Sequence, residues 1–255
     1  MSFFIYSILL QSFINLNPIM PRHCFRNLVS TNMQVSEHAG SRTTNNATPY
    51  TDKNYIDNSL EIQGGSLRTW TYRSPAVEQV QVVLNSDGRP LDADIELWHG
   101  PDNTPIKMRV YVENGRLRPF SSIIETPRGP NTIAIRNIGQ IEFPIRASTF
   151  TENLDSPSYE CVSSSKTIQG GALRTYPFDP SVESVQVYIK TDGRPLNARI
   201  ELLQGPNNNK EVIELYTEDG CDRPFFCILE TPGSGNVVRI VNTAPVEFPL
   251  YAGVM

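Results

Sequence analysis

The feature that most constrains this chain of 255 residues is a long internal repeat. The segment Ile62–Trp70 (IQGGSLRTW) returns as Ile168–Tyr176 (IQGGALRTY), 106 positions later. After a one-residue deletion the offset becomes 105, and about half of the positions from 76 to 147 are identical to their counterparts, without a gap. Such self-similarity indicates one structural unit that is used twice.

Most of the shared motifs are typical of turns. Asp87–Leu91 (DGRPL) matches Asp192–Leu196, and Arg118–Phe120 (RPF) matches Arg223–Phe225. Every turn keeps its length in both copies, although isolated surface loops usually tolerate insertions. The constant lengths suggest that these turns pack against something.

Between the turns, both repeats contain short apolar segments that favour β-strands. Ile95 and Leu97 should face a core and Glu96 should face outward, while 106–113 alternates throughout and 141–145 is predicted as a further strand. No amphipathic helix of convincing length is evident. Roughly six or seven short strands per repeat, about 10–15 residues apart, are typical of a sandwich or jelly roll. The prediction is an all-β fold of two tandem homologous antiparallel β-sandwich (jelly-roll-like) domains, related by internal duplication.

The same patterns divide the chain into five segments. Residues 1–36 are predicted to be a targeting presequence, because residues 3–14 are apolar and no acidic residue precedes Glu37. A start codon assigned too far upstream is the alternative. The apolar stretch is too short to cross a bilayer as a helix, so no membrane span is expected. The other segments are a polar disordered tail (37–60), β-domain repeat 1 (61–147), a linker (148–165) and β-domain repeat 2 (166–255).

Residues that commonly carry chemistry are scattered. The three histidines are His23, His38 and His99, and Gln204 replaces His99 in the second repeat, so neither a hydrolytic triad nor a zinc site is expected. No glycine-rich phosphate loop occurs. The sequence therefore predicts a protein that is not an enzyme, with no catalytic residue, no metal ligand and no cofactor.

Acidic residues leave two alternatives open. Repeated carboxylates could serve glycoside hydrolysis, but we interpret them as outward strand residues or as partners of the repeated arginines. These carboxylates are Glu96, Glu125 and Glu142 with Glu201, Glu230 and Glu247; the arginines are Arg68, Arg89 and Arg118 with Arg174, Arg194 and Arg223. Asp87, Asp92 and Asp94 could bind calcium, but Asn197 and Arg199 replace the last two in the second repeat.

Aromatic residues provide a hypothesis from another class of function. Trp70, Trp98 and Tyr111 could form a sugar-stacking platform, which would make the chain a carbohydrate-binding (lectin-like) module. Because Tyr176 and Leu203 replace the two tryptophans in the second repeat, packing in a core or an interface is the favoured interpretation.

The charge balance of the chain limits which partners it can bind, and its cysteines limit which redox chemistry it can have. Acidic and basic residues balance across 60–150, which argues against nucleic acid as a partner because a nucleic-acid binder normally has a basic face. The four cysteines include Cys221 and Cys227, which stand where the first repeat has Arg116 and Ser122. Ordinary thiols are the favoured interpretation, and a Cys221–Cys227 bond or redox sensor is the alternative.

Four phrases resemble the conserved regions of the pyrenoid shell proteins of diatoms and related algae: IQGGSLRTWTY, NSDGRPLDADIELWHGPDNTP, LRPFSSIIETPRGPNTIAIRN and IEFPIRA. The resemblance covers about 62–147 and 168–252. It implies a structural protein that assembles with copies of itself into a sheet around the Rubisco condensate and supports carbon fixation. It also implies a location in the chloroplast stroma at the pyrenoid periphery, and Rubisco or other pyrenoid components as further partners.

If the chain assembles, the repeat-matched residues are the candidates for fold and contact determinants. They are Arg68, Trp70, Asp87, Arg89, Trp98, Arg118 and Phe120 in the first repeat, and Arg174, Tyr176, Asp192, Arg194, Arg223 and Phe225 in the second.

Overall fold

The computed structural model describes residues 59–206 and 208–255. The predicted presequence, and the predicted tail up to residue 58, lie outside the described residues.

The first half of the described chain forms eight strands. In chain order they are β1 (Leu60–Ile62), β2 (Leu67–Tyr72), β3 (Gln79–Asn85), β4 (Leu91–His99), β5 (Asn103–Val112), β6 (Phe120–Glu125), β7 (Asn131–Asn137) and β8 (Ile145–Phe150). The second half begins with a short helix, α1 (Tyr159–Ser163). It continues with β9 (Lys166–Ile168), β10 (Leu173–Pro177), β11 (Ser184–Lys190), β12 (Leu196–Gln204), β13 (Asn209–Thr217), β14 (Phe225–Glu230), β15 (Asn236–Asn242) and β16 (Leu250–Val254).

These strands form two antiparallel sheets of eight, and each half of the chain contributes four strands to each sheet. Sheet A has the order β1-β8-β3-β6-β14-β11-β16-β9, and sheet B has the order β10-β15-β12-β13-β5-β4-β7-β2. The predicted all-β, antiparallel sandwich is confirmed. The two halves do not keep separate sheets, however, because β6 pairs with β14 and β5 pairs with β13.

Strand alternation places one side of each sheet in a common core. Val80 and Val82 of sheet A and Ile95 and Leu97 of sheet B are fully buried in one hydrophobic cluster, so the predicted inward direction of the latter two is confirmed. Burying a side chain of this size stabilises the fold by about 1.5–3 kcal/mol. Glu96, between them, lies on the opposite face and is half-buried.

We call the strand pairs β5–β13 and β6–β14 the seam, because they join the two halves. Arg109 lies opposite Glu214 in one pair, and Ser122 lies opposite Cys227 in the other. Each of these partners is 105 residues from the other, which is the offset of the sequence repeat. Both pairs are therefore centred on matched positions, as an approximate two-fold axis between the halves requires.

One predicted strand is wrong. Residues 141–144 form a turn, and β8 begins only at Ile145. The Phe143 N–H donates to the Gln140 carbonyl (2.9 Å), and Pro144 has no N–H for a strand ladder. The turn leaves Ile141 78% exposed, although its apolar side chain had suggested a buried strand.

The segment between β8 and β9 crosses the outer face of sheet A. The equivalent glutamines Gln81 and Gln186 hold it at two points: Asp155 N–H donates to Gln81 Oε1 (3.2 Å), and Ser158 N–H donates to Gln186 Oε1 (2.9 Å). Gln81 Nε2 also donates to Asp155 Oδ2 (2.6 Å). Helix α1 follows, with Ser158 as its N-cap. We call residues 151–158 the strap, because this segment is fastened to strands of both halves.

Candidate functional site

The matched arginines of the DGRP turns pack on aromatic rings. The Arg89 guanidinium lies 5.2 Å from the centre of the Phe143 ring, and Arg194 lies 5.6 Å from the Phe248 ring. A cation over an aromatic face is attracted by the ring quadrupole, by about 0.5–1 kcal/mol at exposed sites. The contact fastens the β3–β4 turn to the β7–β8 turn in one half and the β11–β12 turn to the β15–β16 turn in the other, which explains why both motifs recur.

The aspartates of the same turns make different ion pairs in the two halves. Asp87 pairs with Arg146 (2.7 Å), whereas Asp192 lies 3.7 Å from Arg194. All four side chains are more than a third exposed, and exposed pairs contribute little to stability. Asp87 and Asp192 are therefore accessible at the surface.

Four of the predicted contact residues lie inside the molecule near the seam. Phe120 and Phe225 are 0% and 3% exposed, and Arg118 and Arg223 are 2% and 5% exposed. Arg118 Nη2 donates to Oε1 of Gln204 in the other half (3.3 Å). Arg223 pairs with its neighbour Asp222 (3.0 Å), which also pairs with Arg128 of the other half. Arg118 and Asp222 thus join the two halves of one chain, and the two phenylalanines belong to the core.

The remaining predicted residues lie on sheet B. Arg68 and Trp70 are on edge strand β2, and Arg174 and Tyr176 are on edge strand β10. Trp70 and Tyr176 pack against the core, as the favoured interpretation predicted. Trp98, on β4, donates from Nε1 to Glu96 Oε2 (2.7 Å).

The aromatic residues do not form one sugar platform. Trp70 lies opposite Ile133, a core residue, whereas Trp98 lies opposite Thr132, which points to the other face. Trp98 and Tyr111 are on the outer face of sheet B, and Trp70 is on the inner face. Side chains on opposite faces of a sheet cannot stack on one ligand.

Sequence reasoning missed a pair of buried asparagines. Asn137 and Asn242 are 0% exposed, and each Nδ2 donates to two backbone carbonyls: Ile62 (2.9 Å) and Phe143 (2.8 Å) for Asn137, and the matched pair Ile168 (3.0 Å) and Phe248 (2.8 Å) for Asn242. Each amide thus joins an edge strand of sheet A to the turn that carries the stacked phenylalanine. The available signal was an Asn that is identical in both repeats, but Asn is so common in turns that the sequence alone does not single out Asn137.

A buried carboxyl lies beside the seam. Glu211 of β13 is 1% exposed, and neither of its oxygens has a hydrogen-bond partner in the described structure. Burial raises its pKa to about 8, against the opposing influence of the Arg118 charge. In the first repeat the corresponding position is Ile106, which is buried in the core.

Two further carboxyls with raised pKa lie at the ends of β6 and β14. Burial raises the pKa of Glu125 to about 7, although Gln79 donates a hydrogen bond to it (2.8 Å). Burial also raises the pKa of Glu230 to about 7, and the Glu183 charge adds to this shift. These two residues are matched in the repeats, so the carboxyl recurs in both halves.

A groove of about 480 Å³ lies on the outer face of sheet B, across the seam. Its lining includes Asp94, Arg109, Glu214 and Arg199, which lie opposite one another on successive strands as a row of alternating charge. The acids are not matched in the two halves, since Asp94 corresponds to Arg199. The opposite charges in this row cancel one another, and the side chains do not point to one place where a substrate could react.

The repeated glutamates on sheet B have local partners. Glu201 is 3% exposed and pairs with Arg199 (2.9 Å) and with Arg239. Its partners are therefore neighbours on the same sheet and not the repeated arginines that the sequence suggested. Glu96 accepts its bond from Trp98.

The histidine and the thiols of the described chain are held by structural contacts. His99 is half-buried, and its Nδ1 lies 2.9 Å from Asn131 Oδ1. Cys161 and Cys227 are free and buried, and burial raises both of their pKa values, to about 11 for Cys161. Since Cys227 is a free thiol, the alternative of a Cys221–Cys227 disulfide is wrong.

Within residues 59–206 and 208–255, no three His, Cys, Asp or Glu side chains are grouped so that they could hold a metal ion. In the same part of the chain, no helix is long and apolar enough to cross a membrane.

Each end of the molecule presents two strand edges. β1 and β2 form the end of the first half, and β9 and β10 form the end of the second half. Each of these strands pairs on one side only among the described residues. Exposed apolar side chains accompany them: Leu60 (50%) and Ile141 (78%) at the first end, and Leu173 (60%) and Val246 (73%) at the second.

Fold and contacts together define an all-β sandwich protein whose matched residues fasten strands, turns and the two halves to one another. Residues 51–255 match the family described as diatom pyrenoid shell protein, and the chain belongs to that family. The predicted resemblance is thereby confirmed. A pyrenoid is a compartment of the plastid, so membership implies that organelle.

No curated protein matches the chain. Among solved structures, the crystal structure of the PBSX exported protein XepA is similar at 10% sequence identity, over 78% of this chain and 85% of that one. The TM-score is 0.26, so this likeness carries no argument.

Proposed function

We propose that the chain is a self-assembling structural protein that forms a sheet-like shell around the Rubisco-containing pyrenoid and so supports carbon fixation. It acts without catalysis, on copies of itself and on Rubisco or other pyrenoid components at the shell. Family membership supports a structural role. The observation that carries the assembly step is the pair of open, similar ends.

An unpaired strand edge offers N–H and C=O groups that a neighbouring chain can pair with. The chain already uses this contact within itself, because the seam joins two halves edge to edge through β5–β13. The longer free edges are those of sheet B, where β2 has six residues and β10 has five. We infer that an end of one copy meets an end of the next.

The exposed apolar side chains favour the same contact. Ile141 and Val246 are matched in the repeats, and both project from turns that contact the glycine before an edge strand. A contact between unlike ends leaves one end free on each partner, so it continues as an open array and does not close into a dimer.

Two further features follow from the sequence and belong to the same proposal. The two halves arose by internal duplication of one unit, which supplied the two similar ends. Residues 1–36 are a presequence that directs the chain to the plastid and is then removed, since their composition is that of a targeting segment.

Electron microscopy of the purified chain, residues 37–255, tests the assembly. Negative staining and light scattering at high protein concentration should detect sheets or tubes. A chain that remains strictly monomeric under these conditions would refute the proposal.

A charge at the ends tests where the copies meet. The double variant Ile141→Asp and Val246→Asp should abolish sheets while thermal unfolding is unchanged, because both side chains are exposed. The matched control is Leu117→Asp, which is 52% exposed in the β5–β6 turn and has Asp222 as its natural counterpart. Sheets that survive the double variant would show that the copies meet elsewhere.

A further inference from the structure

Glu211 is a residue in which the two repeats differ, and a carboxyl at this buried position should destabilise the folded chain. It points into the core between the sheets, and its counterpart Ile106 fills the same place in the first half with an apolar side chain. Burying an ionised carboxylate without a hydrogen-bonded partner is strongly unfavourable, so such a group remains protonated unless the structure moves.

The charged and titratable groups around Glu211 come from two elements, the β5–β6 turn and β14. Arg118, from the β5–β6 turn, is 2% exposed and its Nε has no hydrogen-bond partner. Two groups lie on β14. The negative charge of Glu230 raises the pKa of Glu211, and the charge of Glu211 in turn raises the pKa of the Cys227 thiol. No ion pair joins Arg118 to Glu211 within the described residues, so the single cation does not offset the loss of water.

Glu211 lies within the strand pair β5–β13 that joins the two halves, so its charge acts directly on that contact. It lies opposite Val112 at one end of β5–β13, where Glu113 N–H donates to the Lys210 carbonyl (2.9 Å) and the Lys210 ammonium pairs with Glu113 (2.5 Å). In the β5–β13 strand pair, seven residues of one half lie opposite residues of the other half, whereas β6–β14 has three such matches.

We propose that the β5–β13 pair is a proton-dependent clasp, which is closed while Glu211 is protonated and loosens when Glu211 ionises. Ionisation puts an unpaired charge inside the core, and the structure relieves it by letting water reach the end of β13. The clasp is a property of the single chain and does not depend on assembly.

The direction of the pH effect follows from proton counts. The ordinary pKa of a glutamate is 4.5, and in the folded chain the pKa is about 8 for Glu211 and about 7 for Glu125 and Glu230. Between these values the folded state holds protons that the unfolded state has released. The stability is therefore fully present below pH 4.5 and is lost as the pH rises toward 8. Each such carboxyl changes the unfolding constant up to about tenfold per pH unit.

Urea unfolding between pH 5 and 9, at a concentration where the chain is monomeric, tests the clasp. Glu211→Gln keeps the shape of a protonated carboxyl but cannot ionise. We expect its unfolding constant to depend on pH less steeply than the wild type, by up to about tenfold per pH unit between pH 5 and 7.5. The control Glu214→Gln removes an exposed carboxyl from the same strand and should keep the wild-type steepness.

Amide hydrogen exchange shows where the structure opens. At pH 8.5 relative to pH 6, β5 and β13 should lose protection in the wild type but not in Glu211→Gln. The bonds that pair β4 with β7 should stay protected in both proteins. If Glu211→Gln fails to fold, Glu211→Ile restores the residue type of the first half and should show the same shallow pH dependence. Equal steepness in the wild type and in either variant would overturn the proposal.

Discussion

Buried asparagine amides fasten each edge of sheet A to the rest of the molecule. Asn137→Ala would leave the carbonyls of Ile62 and Phe143 without a donor, and Gly139 N–H without its acceptor. Unsatisfied buried polar groups cost about 1–3 kcal/mol each, so we expect a loss of at least about 2 kcal/mol in the free energy of unfolding. Asn242→Ala should cost the same, because it removes the matched contacts in the other half. Urea denaturation measures both.

Asn103→Ala is the control, because this exposed amide makes one long bond, to Glu218 (3.4 Å). It should change stability by less than about 0.5 kcal/mol. A cost for Asn137→Ala as small as that of the control would show that the buried amide is not a determinant of the fold.

Which residues matter could be predicted from the repeat, but what they touch could not. The inward direction of Ile95 and Leu97 follows from alternation alone. The contact of Arg89 with Phe143 joins two turns that are far apart in the sequence, and no local pattern encodes it. Glu211 is a carboxyl within an alternating strand, and only the packing of sheet A on sheet B reveals that its face is buried.

At the scale of elements, local patterns predict strands better than they predict partners. Most strands of both halves follow from apolar runs and turn motifs, and the strand predicted over 141–145 failed because Pro144 interrupts it. The seam could not be predicted, because β5 and β13 alternate in the same way as strands that pair within one half. The polar strap has the composition of a loose linker, and its fixed course depends on glutamines far away in the sequence.

The strap provides a test at this scale. Gln81→Ala removes both bonds to Asp155, so the strap should detach from the first half more often while the sheets remain folded. We expect faster cleavage by chymotrypsin at Leu154, within the strap, and a loss of about 1–2 kcal/mol in stability. Gln63→Ala is the control, since the side chain of this exposed glutamine bonds only to the nearby Glu61 within the described structure. Equal cleavage rates in the two variants would show that Gln81 does not hold the strap.

At the scale of the whole molecule, the shared sheets make the two repeats one folding unit. Separating them would expose β5, β6, β13 and β14 as new edges. We therefore expect residues 37–255 to unfold in a single calorimetric transition, with equal van't Hoff and calorimetric enthalpies. Two resolved transitions would instead indicate the independent tandem domains of the sequence prediction.

Ser122→Asp, which puts a charge at the buried centre of the seam, should lower the temperature of this transition and weaken both halves together, because neither half has complete sheets alone.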